Sequence, residues 1–213
     1  MMYRRYCLLL ICFLFGAIHL FAGDDADALV KKLQKKYDSI KNLSVKFVEH
    51  VQFGVTKSEQ NFHGTFSMKK GNKFSIDMEQ QSIVTDGKSV WTFNKTTNQV
   101  LIDHYRDEST STSPEKILSN ISGTYSAVFT GKETTGDTEL VILKLTPKKN
   151  KSNVKSLKLW IDQDELLMKK IQVLDTSDNL MTYSLENIKV DQALLDSQFI
   201  FHLPDSVSVV DLR

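Results

Sequence analysis

Beyond residue 22, the side chains best suited to acid-base or metal chemistry are His50, His63, His104 and His202, with Asp103 and Asp107 close to His104. A zinc hydrolase would place two histidines one helical turn apart around a glutamate, and an acyl hydrolase would present its serine on a G-x-S-x-G elbow. Neither pattern occurs in the chain, nor does a glycine-rich phosphate loop. His63 falls on the polar side of an alternating run and reads as a solvated imidazole. His104 and its acids lie where the chain enters a polar loop, and Asp86-Gly87 reads as a turn. These residues supply no catalytic set, no metal ligands and no cofactor site.

The remaining chemistry is apolar. Phe62, Phe66, Met68, Phe74, Ile76, Met78, Trp91 and Phe93 crowd the early strands. Pointing the same way across a curled sheet, they would form either a packed core beneath the helices or a greasy concave surface. The second arrangement suits acyl chains, because thioether and aromatic side chains adapt to irregular apolar partners. Burial is worth ~25 cal/mol per Å² of apolar surface and ~0.8 kcal/mol per CH₂. A single chain could therefore bind without a specific polar contact.

The elements that would position this surface follow a leader. Arg4 and Arg5 precede the apolar run Cys7–Phe21, and Ala22 stands before Asp24-Asp25. A basic start, a small boundary residue and an apolar run of about 15 residues, short of the ~20 of a membrane span, define a secretory signal peptide over residues 1–22. Cleavage would remove Cys7 and Cys12, the only two cysteines. Ile11 before Cys12 is too large for a lipidation signal, so the mature chain is expected to be soluble and free of disulfides. Loss of two arginines turns 27 basic against 26 acidic residues into a net charge of −1. That balance disfavours a nucleic-acid partner.

Residues 23–213 read as a single domain. An amphipathic helix is expected over Asp24–Ile40, with Leu29, Leu33, Tyr37 and Ile40 on one stripe. The period then changes to two. Strands are expected at Val45–Phe53, Asn61–Lys69, Phe74–Glu79, Ser82–Thr85, Ser89–Asn94, Gln99–His104, Tyr125–Thr130, Leu140–Thr146, Val154–Asp162, Leu167–Leu174 and Leu180–Val190. Between them, Ser113-Pro114-Glu115 starts a short helix carrying Ile117, Leu118 and Ile121, and Gly123 stops it. About eleven short-looped strands imply an antiparallel sheet that curls. The tail Phe199–Val210 is apolar around Pro204-Asp205.

Gly64–Leu101, GTFSMKKGNKFSIDMEQQSIVTDGKSVWTFNKTTNQVL, resembles the periplasmic outer-membrane lipoprotein carrier family, LolA. Ser113-Pro114 before an apolar helix, Leu143–Pro147, Lys158–Asp162 and the ending Phe199 to Asp211 fit the same family in the same order. The resemblance covers essentially the whole chain after the leader. It implies a mainly β fold: an unclosed antiparallel barrel with an N-terminal helix and a short central helix as a lid over a hydrophobic cavity. It also implies a monomeric periplasmic carrier, not an enzyme. Such a carrier takes acylated lipoproteins from an inner-membrane ABC transporter and delivers them to an outer-membrane receptor.

Two departures from the family pattern bear on function. The family arginine that ties to the lid aligns with Lys70, and the proline after it with Gly71. Lysine keeps the charge but loses the planar fork of donors, so a latch at Lys70 should be weaker. The family aromatic on the next strand aligns with Ile76, while Phe74 is kept and is expected at the cavity mouth. The main alternative is a sibling lipid-binding module of the same fold, a lipid or glycolipid carrier or an envelope-stress sensor. An outer-membrane receptor would need a lipidated cysteine, and an enzyme acting on acyl lipids would need a nucleophile and base that the chain does not offer.

Overall fold

The computed structural model describes residues 23–106, 121–149 and 152–213. The expected leader 1–22 and the lid residues Ile117 and Leu118 lie outside them. Helix α1 runs Gly23–Ser39, with Lys31, Lys32 and Lys35 exposed on the face opposite its apolar stripe. Ala26, Leu29, Val30, Leu33 and Tyr37 are buried against the sheet, as the 3.6-residue spacing requires. A second helix, α2, covers Ile121–Thr124 and buries Ile121 completely.

The strands are β1 Asn42–Gln52, β2 Glu59–Lys69, β3 Lys73–Met78, β4 Gln81–Asp86, β5 Ser89–Asn94, β6 Gln99–His104, β7 Tyr125–Thr135, β8 Thr138–Pro147, β9 Val154–Asp162, β10 Leu167–Asp175, β11 Leu180–Val190 and β12 Ser208–Asp211. They form one twelve-stranded sheet in the order β12-β6-β5-β4-β3-β2-β1-β11-β10-β9-β8-β7. The outermost strands, β12 and β7, do not pair with each other, so the barrel stays unclosed. Bulges at Ser44/Lys46, Phe129/Gly131 and Met168/Lys170 sharpen the local twist. At Gly64 the Phe47 ring fills the place of a side chain: a Cβ there would lie 2.4 Å from Phe47 Cζ.

The expected strands are present, mostly longer by a few residues, and a twelfth is added. β12 pairs parallel to β6, whereas every other pair is antiparallel. Four residues with all side chains exposed carry no period-two burial signal, which is why this strand is illegible in sequence.

The chain reaches β12 by crossing the convex face. Asp191 accepts the backbone N–H groups of Lys41 (2.6 Å) and Asn42 (3.2 Å), which hold its carboxyl below the usual range. Asp196 then pairs with Lys69 at 2.8 Å and Lys73 at 3.6 Å. Beyond this anchor, Phe199 is fully buried, and Phe201 stacks on Trp91 and meets Phe93 edge-on. The C-terminal segment thus seals a second apolar layer outside the sheet.

The main core lies on the concave side under α1. Tyr37 anchors the helix there, its hydroxyl accepting the Met168 N–H at 3.1 Å beside the Met168/Lys170 bulge. Burial pushes the Tyr37 phenol up to about 12, from an ordinary 10. Between those values the folded chain keeps a proton that the unfolded chain has lost. Stability therefore falls as pH rises from 10 to 12, by up to ~1.4 kcal/mol per unit from this group. Tyr37→Phe should cost about 1–2 kcal/mol near neutrality, because the Met168 N–H loses its acceptor. It should also make the alkaline fall shallower, as read by urea titrations at about pH 8 to 11. An alkaline slope equal to the parent's would reject this role.

Candidate functional site

Opposite residues in adjacent strands share a face, so the ladder registers decide what the sheet presents inward. Phe66 opposes Ile76, Ile76 opposes Ile83, Ile83 opposes Thr92, and Thr92 opposes Leu101. This row continues the concave wall begun on β1 by Leu43, Val45 and Phe47. With Ile171 and Val173 from β10 and Met181 and Leu185 from β11, it lines an open-sided cavity of about 1230 Å³. That volume exceeds the roughly 300–1,000 Å³ of a drug-sized pocket. The lining is mainly aliphatic and aromatic, and Tyr37 of α1 closes one side.

Of the residues singled out in the sequence, Phe66, Phe74, Ile76 and Met78 line this cavity. Phe74 does so as a buried wall residue with its ring 6.4 Å from that of Phe66, and not at an exposed mouth. Its ladder partners, Met68 on β2 and Thr85 on β4, are themselves buried, so the ring sits inside the wall. Met68 is buried in the core beside Phe74. Phe62 lies further along β2, opposite Glu49, beside a polar recess with Gln60, His63 and Gln81.

Trp91 and Phe93 are not cavity residues. They oppose Val84 and Ser82 on β4, and Ile102 and Val100 on β6, which places them on the convex face beneath Phe201. The inward residues of β5 are Val90 and Thr92. Aromatic character suggested an inward side, but parity along β5 opposes it, and the C-terminal segment provides the cover that makes the outward side apolar.

Lys70 is exposed in the β2–β3 turn, and its backbone N–H donates to the Lys41 carbonyl at 2.9 Å. The lid segment before Ile121 lies outside the described residues, so the Lys70 latch has no described partner element. Asp103, His104 and Arg106 stand at the cavity edge, with Arg106 Nη2 3.7 Å from Asp103 Oδ1.

Much of the lining lies on strands that the sequence candidates do not include, β1, β10 and β11 above all, and two of its residues there are polar. Glu49 interrupts the inward series Val45, Phe47 and Val51 on β1, and Tyr183 does the same among Met181 and Leu185 on β11. The Tyr183 hydroxyl donates to Glu49 Oε1 at 2.8 Å. Burial and the Glu49 charge raise the Tyr183 phenol above its ordinary range. An acid at an apolar parity position was the available signal.

Comparison with known proteins places this geometry among relatives. Residues 38–202 match the family described as "Outer membrane lipoprotein carrier protein LolA". An outer-membrane lipoprotein carrier protein of Pasteurella multocida (strain Pm70) is 28% identical over 191 residues, covering 88% of this chain and 89% of the relative. A protein of the same description from Glaesserella parasuis serovar 5 (strain SH0165) is 28% identical over 202 residues, covering 93% and 92%. Among solved structures, an uncharacterized conserved protein from Thermus thermophilus shares the fold with a TM-score of 0.56 at 13% identity, covering 86% of this chain and 97% of that one.

Proposed function

Since the chain belongs to the outer membrane lipoprotein carrier protein LolA family, we propose that it is a periplasmic carrier whose cavity shields the acyl chains of lipoproteins between two membranes. The observation that carries this reading is the 1230 Å³ apolar cavity lined by Phe66, Phe74, Ile76 and Met78. Transfer of acyl chains into it removes them from water at ~0.8 kcal/mol per CH₂, enough for tight binding without covalent chemistry.

The donor in this reading is an inner-membrane ABC transporter and the acceptor an outer-membrane receptor. A leader over residues 1–22 takes the chain to the periplasm, and residues 23–213 act as one domain. We assign a lid to residues 114–121, with Ile117, Leu118 and Ile121 as its apolar side, and Lys70 as the cation that latches it. Lid closure and opening would set the affinity for cargo at successive steps.

A release assay tests the proposal. Spheroplasts bearing a radiolabelled, fully acylated lipoprotein are incubated with the purified protein. The expected result is label moving into the soluble fraction as a 1:1 complex. Failure of release, with binding of a neutral apolar dye intact, would favour a lipid or glycolipid carrier of the same fold.

A further inference from the structure

Glu49 places a carboxylate in an apolar stretch of the wall, between Phe47 and Val51 on β1. Among the described residues, its side chain has one hydrogen-bond partner, the neutral Tyr183 hydroxyl on Oε1. The other carboxylates that line the cavity are already engaged. Asp175 accepts the backbone N–H groups of Ser177 and Asn179 and the Asn179 side-chain amide, all at 2.8 Å. Asp103 accepts the His104 N–H at 2.7 Å and faces Arg106. Glu49 is therefore the wall carboxylate left with spare acceptor capacity.

It is half-buried and has apolar neighbours along its own strand. Val51 lies one inward step beyond it on β1 and Phe47 one step before, so apolar side chains flank the carboxylate along the strand. Across the ladders, Tyr183 and Ile171 continue the same row. An acyl chain lying along this wall would bring its head group, or the atoms next to it, past Oε2. A carboxylate in such a setting attracts a cation or a strong donor more than it would in water, and repels a second carboxylate.

We propose that Glu49 makes the cavity selective for amphiphiles whose head group carries a protonated amine, and against free fatty acids. Tyr183 acts as a positioning residue: its donated hydrogen bond holds Oε1 and leaves Oε2 to the ligand. This inference rests on the acyl-cavity reading and adds a polar specificity to it. The shared chemistry is an ammonium set beside apolar chains, whether on a polypeptide terminus whose α-amine is left unacylated or on a lipid.

The test uses four single-chain probes below their micelle concentrations: dodecylamine, dodecyltrimethylammonium, dodecanol and dodecanoate. Each competes with N-phenyl-1-naphthylamine, a neutral dye, for the full chain. Dodecylamine should bind roughly tenfold tighter than dodecanol, a difference of the size expected for one charge-assisted hydrogen bond. Dodecanoate should bind most weakly. Glu49→Gln keeps an acceptor for Tyr183 and should compress the amine-to-alcohol ratio to within about twofold. Glu49→Leu provides a second variant whose side chain suits the apolar wall, and it should behave likewise. Dodecyltrimethylammonium carries charge without an N–H: parity with dodecylamine assigns the selectivity to charge, and parity with dodecanol to the hydrogen bond. An amine-to-alcohol ratio in both variants equal to the parent's overturns the assignment while leaving the acyl cavity standing. Binding of no probe to a folded parent overturns both.

Discussion

Ile76→Glu should lower the release of an acylated lipoprotein from spheroplasts more than about tenfold while leaving the fold intact. Ile76 stands at the middle of the concave wall, between Phe66 on β2 and Ile83 on β4, and borders the cavity. It is half-buried, so a carboxylate there finds water in the unliganded cavity and costs the folded state little. Bound acyl chains would expel that water. Desolvating an unpaired carboxylate then opposes binding by several kcal/mol, since its ladder neighbours Phe66 and Ile83 offer no cation. Circular dichroism and the thermal midpoint should stay close to the parent's. Ile76→Leu keeps the apolar surface and should retain release. Normal release by Ile76→Glu would show that cargo does not use this wall. Phe74→Glu is a poorer probe, because Phe74 belongs to the buried core and the same charge would act on stability as well.

The largest stability effect outside the core should come from Gly54→Ala, at about 3 kcal/mol, the upper part of the overpacking range. Gly54 lies at the tip of the β1–β2 hairpin, where its N–H donates to Asn179 Oδ1 at 3.0 Å. A Cβ at this position would lie 2.4 Å from the Ser177 carbonyl oxygen and 2.5 Å from the Asp178 carbonyl carbon. All three nearest atoms are backbone, so no rotamer change relieves the clash. The hairpin tip would have to separate from the β10–β11 turn, whose Asp175, Thr176 and Ser177 border the cavity. Urea unfolding should show the loss as a lower midpoint with an unchanged slope. Val55→Ala at the same tip is the control: Val55 is 88% exposed and should change stability by no more than about 0.5 kcal/mol. Equal midpoints for Gly54→Ala and the parent would remove the close-approach argument.

Local pattern carried much of the architecture. The stripe Leu29, Leu33, Tyr37 and Ile40 located α1 because a helix needs one apolar face every 3.6 residues, and all four are buried. The alternation Phe62, Gly64, Phe66, Met68 located β2, and the Gly71-Asn72 turn set its hairpin with β3, both residues taking positive φ. Short connections between such runs left antiparallel pairing as the economical outcome. The resemblance rested on this same ordered set of strands and turns, which is why fold and family were legible together.

What local pattern could not decide was which face of each strand looks inward. Alternation says that Trp91 and Phe93 share a side, but a sheet has two sides and either can be apolar once something covers it. Here the cover is Phe201, more than a hundred residues away, on a segment that Lys69 and Lys73 anchor through Asp196. From sequence Phe74, likewise, reads as a mouth residue, because its depth depends on how far the sheet curls. Glu49 broke the apolar alternation of β1, yet only its pairing with Tyr183 across the β1–β11 ladder shows a carboxylate held within the cavity wall. The order of residues alone thus determined α1, the first eleven strands and the turns between them, because those depend on neighbours a few positions apart. The tertiary structure alone decided the cavity's lining, because curl, register and the C-terminal cover join residues distant in the chain.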